Sequence, residues 1–297
     1  MELRHLRYLL AVAEHASFTR AAEALHVSQP TLSQQIKQLE SSLRVQLLDR
    51  SGRTVRLTDA GEGFVRYARE ALRSLSAAER AVLDVHDLSR GTLRLALTPT
   101  FTGYLTGPLV AEFHARHPGI TVDVRELTQD RIEAALAADE LDLGIGFVGA
   151  ELPDLVSTEL FTETLSLVVG PEHPDANRRI PLPVAELGSR QLALLSADFA
   201  TRRQIDAYFA AHRVSPRIAV EANSVSALVE IVRRGGLATV LPDEIAREQP
   251  QLRPVALEPP LPSRTVVLMR RDTAYRSAAS RAFADLAERW TPADGAA

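Results

Sequence analysis

Residues 18–37, FTRAAEALHVSQPTLSQQIK, constrain this chain more than any other stretch. They read as two short helices joined by a tight turn. Ser17 is placed to cap the first helix, and Ala21, Ala22 and Leu25 give it a narrow apolar face. Val27 falls in the turn. Ser28 is a good N-cap for the second helix, and Pro30 sits in its first turn, where a missing N–H costs nothing. Leu32, Ile36, Leu39 and Leu43 follow at i, i+4, i+7 and i+11, which puts them on one face at roughly 100° per residue. The opposite face carries Pro30, Gln34, Lys37 and Ser41, flanked by Thr31, Ser33 and Gln38. It is polar and almost free of acid, so it suits base edges and phosphates. By themselves, residues 28–43 also fit an ordinary amphipathic helix with a solvated polar face. The preceding short helix and the turn favour a helix-turn-helix.

Residues 46–58, QLLDRSGRTVRLT, extend that reading. An apolar start, a Ser51-Gly52 turn and alternating Val55 and Leu57 predict a β-ribbon crowded by Arg50, Arg53 and Arg56. In a winged helix Arg53 would stand at the tip near the minor groove, with the other two toward phosphates; a solvated basic hairpin is the plainer alternative. Residues 1–58 hold eight Lys and Arg against five acids, a net +3, inside a chain of formal charge −4. Only the N-terminus therefore has a nucleic-acid-binding balance. The expected DNA-binding set is Thr19, Arg20, Ser28, Gln29, Pro30, Thr31, Ser33, Gln34, Lys37, Arg50, Arg53 and Arg56.

A long helix follows, with Thr58 as cap and Asp59 and Glu62 in its first turn. Phe64, Ala68, Ala71, Leu75, Ala78, Val82 and Val85 recur in steps of 4 and 3, a heptad seam whose alanines allow close approach of a second copy. Packing on its own domain is the alternative; a two-fold-symmetric DNA site favours the dimer. With 297 residues there is room for two or three domains. The chain has no apolar run long enough to span a membrane, and the interrupted N-terminal helix is not a signal peptide, so a cytoplasmic protein is expected. The absence of cysteine excludes disulfides, thiolate metal sites and a thiol redox switch in this chain. No activated nucleophile and no metal-type histidine spacing is visible; His114 and His117 read as surface residues. No catalytic residue, metal or cofactor is expected, and an enzyme fused to a DNA-binding module is the weakest alternative.

From Gly91 strands alternate with helices, which implies α/β architecture: mostly parallel sheets covered on both sides, two of them by count. Expected strands are 92–97, 120–126, 143–147, 165–170, 191–195, 218–221, 237–241 and 266–270, and expected helices are 103–116, 131–138, 200–211, 224–234 and 277–290. A shared effector cleft belongs at the C-terminal ends of such strands.

Over essentially its full length the chain resembles the LysR-type transcriptional regulators. The resemblance is carried by Leu3, SFTRAAEALHVSQPTLSQQIKQLE and LLDRSGRTVRLTDAG. It implies an N-terminal winged helix-turn-helix (1–58), a linker helix for dimerisation (59–90) and a two-lobed, type II periplasmic-binding-protein-like regulatory domain (91–297). Lobe one would hold 91–159 and 266–290, and lobe two 160–265. The resemblance further implies a homotetramer of paired dimers, binding to double-stranded promoter DNA, promoter bending, an effector-dependent shift along DNA, and RNA polymerase as a further partner. Gln34 stands where some family members carry Arg, which weakens one contact.

Two strand-to-helix stretches are candidates for the effector. Thr98-Pro99-Thr100-Phe101-Thr102 offers hydroxyls and free helix-start N–H groups to a small anion, and Ser196 to Arg202 is its counterpart in lobe two. Each hydroxyl alone is as well explained as a helix cap. The expected effector set is Thr98, Thr100, Phe101, Thr128, Gln129, Phe147, Ser196, Phe199, Thr201 and Arg202, with the two phenylalanines of these stretches read chiefly as packing. Gly144 and Gly146 read as points of close backbone approach. The stretches TPTFTGYLTGPL, ADELDLGIGF, LLSADFATRRQID, EANSVSALVEIVRR and LEPPLPSRTVVLMRR resemble the cyanate-responsive branch, which activates genes for cyanate breakdown. A tiny linear anion suits such a pocket. A different small acid, aromatic or amino acid, and a ligand-free architectural DNA-binding protein are the alternatives.

Overall fold

The computed structural model describes residues 1–52, 54–83, 88–149 and 152–291, with 79–83 as backbone only. The expected wing-tip Arg53, the seam side chain Val82 and Val85 lie outside the described residues. Two compact units are present, Met1–Leu83 and Asp84–Ala297.

The first unit runs α1 (Leu3–His15), α2 (Phe18–Ala24), α3 (Gln29–Leu43), β1 (Leu48–Asp49), β2 (Arg56–Leu57) and α4 (Asp59–Leu83). Ser17 and Ser28 cap α2 and α3 as their positions demand, accepting from the Arg20 and Thr31 amides. Leu9, Val12, Ala21, Ala22, Leu32, Ile36, Leu39 and Leu47 form one core. Leu43, expected on the same face, is exposed, because α3 outruns the core in its last turn before the left-handed Arg44 ends it. Thr58 accepts from the Gly61 amide at 3.0 Å and so opens α4.

Gly61 packs directly on backbone: a Cβ there would stand 2.0 Å from the Leu47 carbonyl oxygen. Gly61→Ala should therefore destabilise the first unit by about 1–3 kcal/mol, overriding the roughly 1 kcal/mol that alanine normally gains in a helix. Urea unfolding followed by far-ultraviolet circular dichroism checks this; a gain in stability would contradict the packing. The heptad seam divides here. Ala68 is buried and Phe64 joins the first unit's own core, whereas Ala71, Leu75 and Ala78 are exposed.

The second unit holds β3 (Gly91–Leu97), a 3-10 turn (Pro99–Gly103), α5 (Thr106–Arg116), β4 (Ile120–Glu126), α6 (Gln129–Ala137), β5 (Leu143–Phe147), β6 (Leu155–Glu163) and β7 (Leu165–Val169). It continues with β8 (Leu182–Pro183), a 3-10 turn (Val184–Ser189), β9 (Gln191–Leu195), α7 (Ala200–Ala211), β10 (Arg217–Ala222), α8 (Val225–Arg234), β11 (Ala238–Pro242), α9 (Asp243–Glu248), β12 (Arg253–Val255), β13 (Leu257–Glu258), β14 (Arg264–Arg271) and α10 (Ala278–Arg289). Lobe one is the sheet β4-β3-β5-β14-β6 and lobe two the sheet β10-β9-β11-β7-β12.

Each sheet is half parallel and half antiparallel, which corrects the mostly parallel expectation. The chain crosses between the lobes, so its crossing strands enter each sheet reversed: β14 runs against β5 and β6, and β7 against β11 and β12. β6 and β14 also extend lobe one further than expected. Residues 161–163 and 264–265, expected in lobe two, pair within the lobe-one sheet. The expected helix at 103 starts only at Thr106, after the turn that presents Thr100. Gly144 and Gly146 do permit close approach, since a Cβ would meet Ile132 at 2.4 Å and the Gln129 amide oxygen at 2.2 Å.

Candidate DNA-binding and effector sites

In the first unit the apolar face of α3 is sealed into the core, and that burial turns the opposite face outward. Gln29, Pro30, Thr31, Gln34, Lys37, Gln38 and Ser41 are exposed, Ser33 is half-buried, and Thr19 and Arg20 are exposed on α2. Ser28 and Thr31 share a hydroxyl hydrogen bond of 2.7 Å. His5, buried in α1, accepts the Glu2 amide on Nδ1 at 3.0 Å, so its Nε2–H donates to Gln35 at 2.9 Å and fixes α3 against α1.

Glu40, unremarked in the sequence, ties the wing to α3. Its carboxylate accepts the Leu47 and Leu48 amides at 3.0 and 3.1 Å and the Arg50 guanidinium at 2.7 Å. Arg50 also lies 4.9 Å from the Phe18 ring centroid. Arg50, expected at phosphate, thus also braces the wing, and Arg56 is an exposed wing cation beside Asp49. The Ser51 hydrogen bonds hold the Asp49 carboxyl below the usual range.

In the second unit the two strand-to-helix stretches do meet. Thr98, Thr100, Thr128, Gln129 and Phe147 of lobe one and Phe199 and Thr201 of lobe two line one cavity of about 10 Å³. That is roughly the space one water needs. The Thr98 and Thr100 hydroxyls are buried with no hydrogen-bond partner among the described residues.

Four expected effector residues are otherwise engaged. Arg202 is buried in lobe two, bonded to Asp206 and Glu221 at 2.9 Å and to the Leu195 carbonyl at 2.7 Å, so its charge ties α7 to β9 and β10. Ser196 is off the cavity and donates to Asp198 at 2.7 Å. Phe101 is fully buried behind the wall, with its ring 5.1 Å from Phe147. Gln129 lines the cavity, but its amide serves the scaffold: it accepts the Phe147 amide at 3.0 Å and donates to the Phe147 carbonyl at 3.1 Å and Glu133 at 2.7 Å. The Thr128 hydroxyl holds the Asp130 carboxyl below its usual range.

Against two of the cavity's lining residues, Phe147 and Thr201, stands a largely buried cation absent from the expected set, Arg264. It opens β14 directly opposite Glu163 in register. Its guanidinium lies 3.6 Å from the Phe147 ring centroid, and Nη1 donates to the Thr201 hydroxyl at 2.9 Å. Nε donates to Glu163, which also accepts the Tyr104 hydroxyl. Nη2 is buried with no partner among the described residues. Burial pushes the Glu163 carboxyl up, against the pull of Arg264 and the Tyr104 hydrogen bond. Burial and the adjacent Glu163 push the Tyr104 phenol far up, so it stays a donor. One arginine thus joins the walls of both lobes while keeping donor capacity free. A signal existed in the sequence, since Arg264 heads the otherwise apolar run TVVLM, but its partner Glu163 is 101 residues away.

Residues 3–62 match the lysR family of bacterial regulatory helix-turn-helix proteins, and residues 86–292 match the LysR substrate binding domain. A hydrogen peroxide-inducible genes activator of Dickeya chrysanthemi is 32% identical over 275 residues, covering 91% of this chain and 90% of that protein. The RuBisCO operon transcriptional regulator of Allochromatium vinosum is 31% identical over 259 residues, covering 87% and 85%. Among solved structures, a full-length OxyR variant from Pseudomonas aeruginosa superposes with a TM-score of 0.71 at 27% identity, covering 98% of this chain and 96% of that one. These relatives are regulators, not enzymes, and the chain is a regulator with a winged helix-turn-helix, a long linker helix and a two-lobed regulatory domain. It belongs to the LysR family of bacterial DNA-binding transcriptional regulators.

Proposed function

We propose that this regulator's promoter binding is governed by a small anion of a few heavy atoms held between the lobes, cyanate being the member of that class to test first. The observation that carries the reading is the group of unpartnered buried donors at one small cavity: the Thr98 and Thr100 hydroxyls and, on its Phe147 and Thr201 walls, Arg264. At about 10 Å³ the cavity must open to admit even a triatomic ion, and would have to open far more for an aromatic acid, which needs several hundred Å³. Among the relatives named above, none is a cyanate regulator, so the effector rests on the cavity alone. The peroxide-responsive relatives do not supply a better one: this chain has no cysteine for a thiol response. Isothermal titration of the full-length protein with cyanate, azide, sulfate and benzoate tests the reading. Saturable binding of cyanate or azide is expected; binding of benzoate alone overturns it.

The DNA face is the exposed row Gln29, Pro30, Thr31, Gln34 and Lys37, with Thr19, Arg20 and Ser33 beside it and Arg56 on the wing. Lys37→Ala should weaken DNA binding and lower the slope of log affinity against log salt by about one. An unchanged slope in fluorescence anisotropy titrations removes Lys37 from the phosphate contacts.

The exposed half of the seam, Ala71, Leu75 and Ala78, supports pairing of α4 with a second copy, with two such dimers forming the tetramer. Leu75→Asp with Ala78→Asp should yield monomers by light scattering; an intact dimer would place the contact elsewhere. The protein so assembled acts on promoter DNA in the cytoplasm as an activator that engages RNA polymerase.

A further inference from the structure

We propose a second ligand site on the regulatory domain, separate from the small-anion cavity, that takes a small organic cation: an ammonium or amidinium group carried on a flat apolar body. The site is a pocket of about 190 Å³ lined by Tyr104, Pro108, Glu244, Arg247, Glu248 and Trp290.

Two of its walls are aromatic. The Trp290 and Tyr104 rings stand 6.4 Å apart and tilted by 41°, and Phe161 backs Trp290 at 5.3 Å. Trp290 is half-buried, and among the described residues no arginine is stacked on its ring. An indole face is the best side-chain surface for a cation.

The other wall is acidic and under-satisfied. Glu244 is 9% exposed, and its Oε2 is buried without a partner among the described residues. Its Oε1 accepts Arg247 at 3.1 Å, and that arginine is half exposed. Glu248 adds a second carboxylate, so the pocket's own side chains sum to one negative charge. Behind Tyr104, Glu163 is already paired with Arg264 and contributes no net charge. Burial pushes the Glu244 carboxyl above its usual range, against the pull of its own backbone amide and of Arg247, so an incoming cation would favour its ionised form.

The choice of cation over anion follows from the unpartnered atom. A carboxylate oxygen without a donor gains from an incoming N–H, whereas a bound carboxylate would have to approach it and would find its one arginine already engaged. The pocket also joins the lobes. Tyr104 and Trp290 belong to lobe one, while Glu244, Arg247 and Glu248 lie on α9 after a lobe-two strand. A cation seated there therefore bridges the two.

Trp290 is the only tryptophan in the chain, so its fluorescence reports on this pocket alone. The full-length protein is titrated with benzylammonium, and with benzyl alcohol and benzoate as neutral and anionic counterparts. The expected result is a saturable fluorescence change and a raised melting temperature with benzylammonium. Benzyl alcohol should bind at least about tenfold more weakly and benzoate not at all. Glu244→Gln should cost at least about tenfold in benzylammonium affinity, and Glu248→Gln, nearer the surface, less. The Glu248 variant keeps the test open should the Glu244 variant not fold. Equal or tighter binding of benzoate overturns the proposal, as does no saturable change up to about 10 mM benzylammonium. None of these outcomes depends on whether cyanate binds the other cavity.

Discussion

Arg264→Met is expected to abolish the response to small anions and to cost the regulatory domain about 3–5 kcal/mol of stability. The second effect follows from Glu163, which is fully buried and would be left with the Tyr104 hydroxyl as its remaining partner. A buried carboxylate stripped of its cation loses the Coulombic term while its desolvation cost stays. Adding Glu163→Gln to Arg264→Met removes that charge and should restore most of the stability without restoring anion binding. Urea unfolding of the single and double variants measures the coupling, and isothermal titration with cyanate or azide measures binding. If the single variant binds anions like the parent, Arg264 is not the anchor. If the second change restores nothing, the ion pair is not what the first change broke.

Thr98→Val combined with Thr100→Val should do the reverse, leaving stability unchanged or raised by about 1 kcal/mol while removing anion affinity. Both hydroxyls are buried without partners among the described residues, so a methyl group in their place removes a desolvated donor and breaks no hydrogen bond. A bound anion uses the same hydroxyls, at about 1.5–3 kcal/mol for each hydrogen bond to a charged group, so affinity should fall by at least about 100-fold. DNA binding without effector should be unaffected. A loss of stability above about 2 kcal/mol would show that the hydroxyls are satisfied in the folded domain after all.

These two variants also separate what was legible in the sequence from what was not. The helix-turn-helix was readable because its signals are local. The Ser17 and Ser28 caps, the small residues of α2 and the spacing of Leu32, Ile36 and Leu39 all fall within a few turns of one another. Half of the small cavity's lining was readable for the same reason, since Thr98 and Thr100 directly follow β3 and Thr201 opens α7 shortly after β9, strands that the apolar runs mark.

What was missed is non-local. Arg264 and Glu163 are joined only by the register of two crossing strands. One of these, β6, mixes exposed and half-buried positions along an edge and therefore lacks a clean alternation. Arg202, expected at the effector site, is held by Glu221 from the neighbouring strand β10, a pairing that no local pattern announces. Arg50 is braced by Glu40 and Phe18, which lie outside the hairpin, so no pattern within the basic hairpin shows that role. Sequence charge thus points to candidate surfaces, but which arginines remain free is a property of the assembled sheets and core.

The most direct test of the whole account links the anion to DNA. Promoter fragments retained by the full-length protein from genomic DNA are footprinted with and without cyanate or azide, for the parent and for the Thr98→Val, Thr100→Val pair. The account predicts an anion-dependent change in the protected region with the parent, and the same anion-free footprint but no change with the double variant. A footprint that is indifferent to these anions in the parent, or that shifts equally in both proteins, would contradict it.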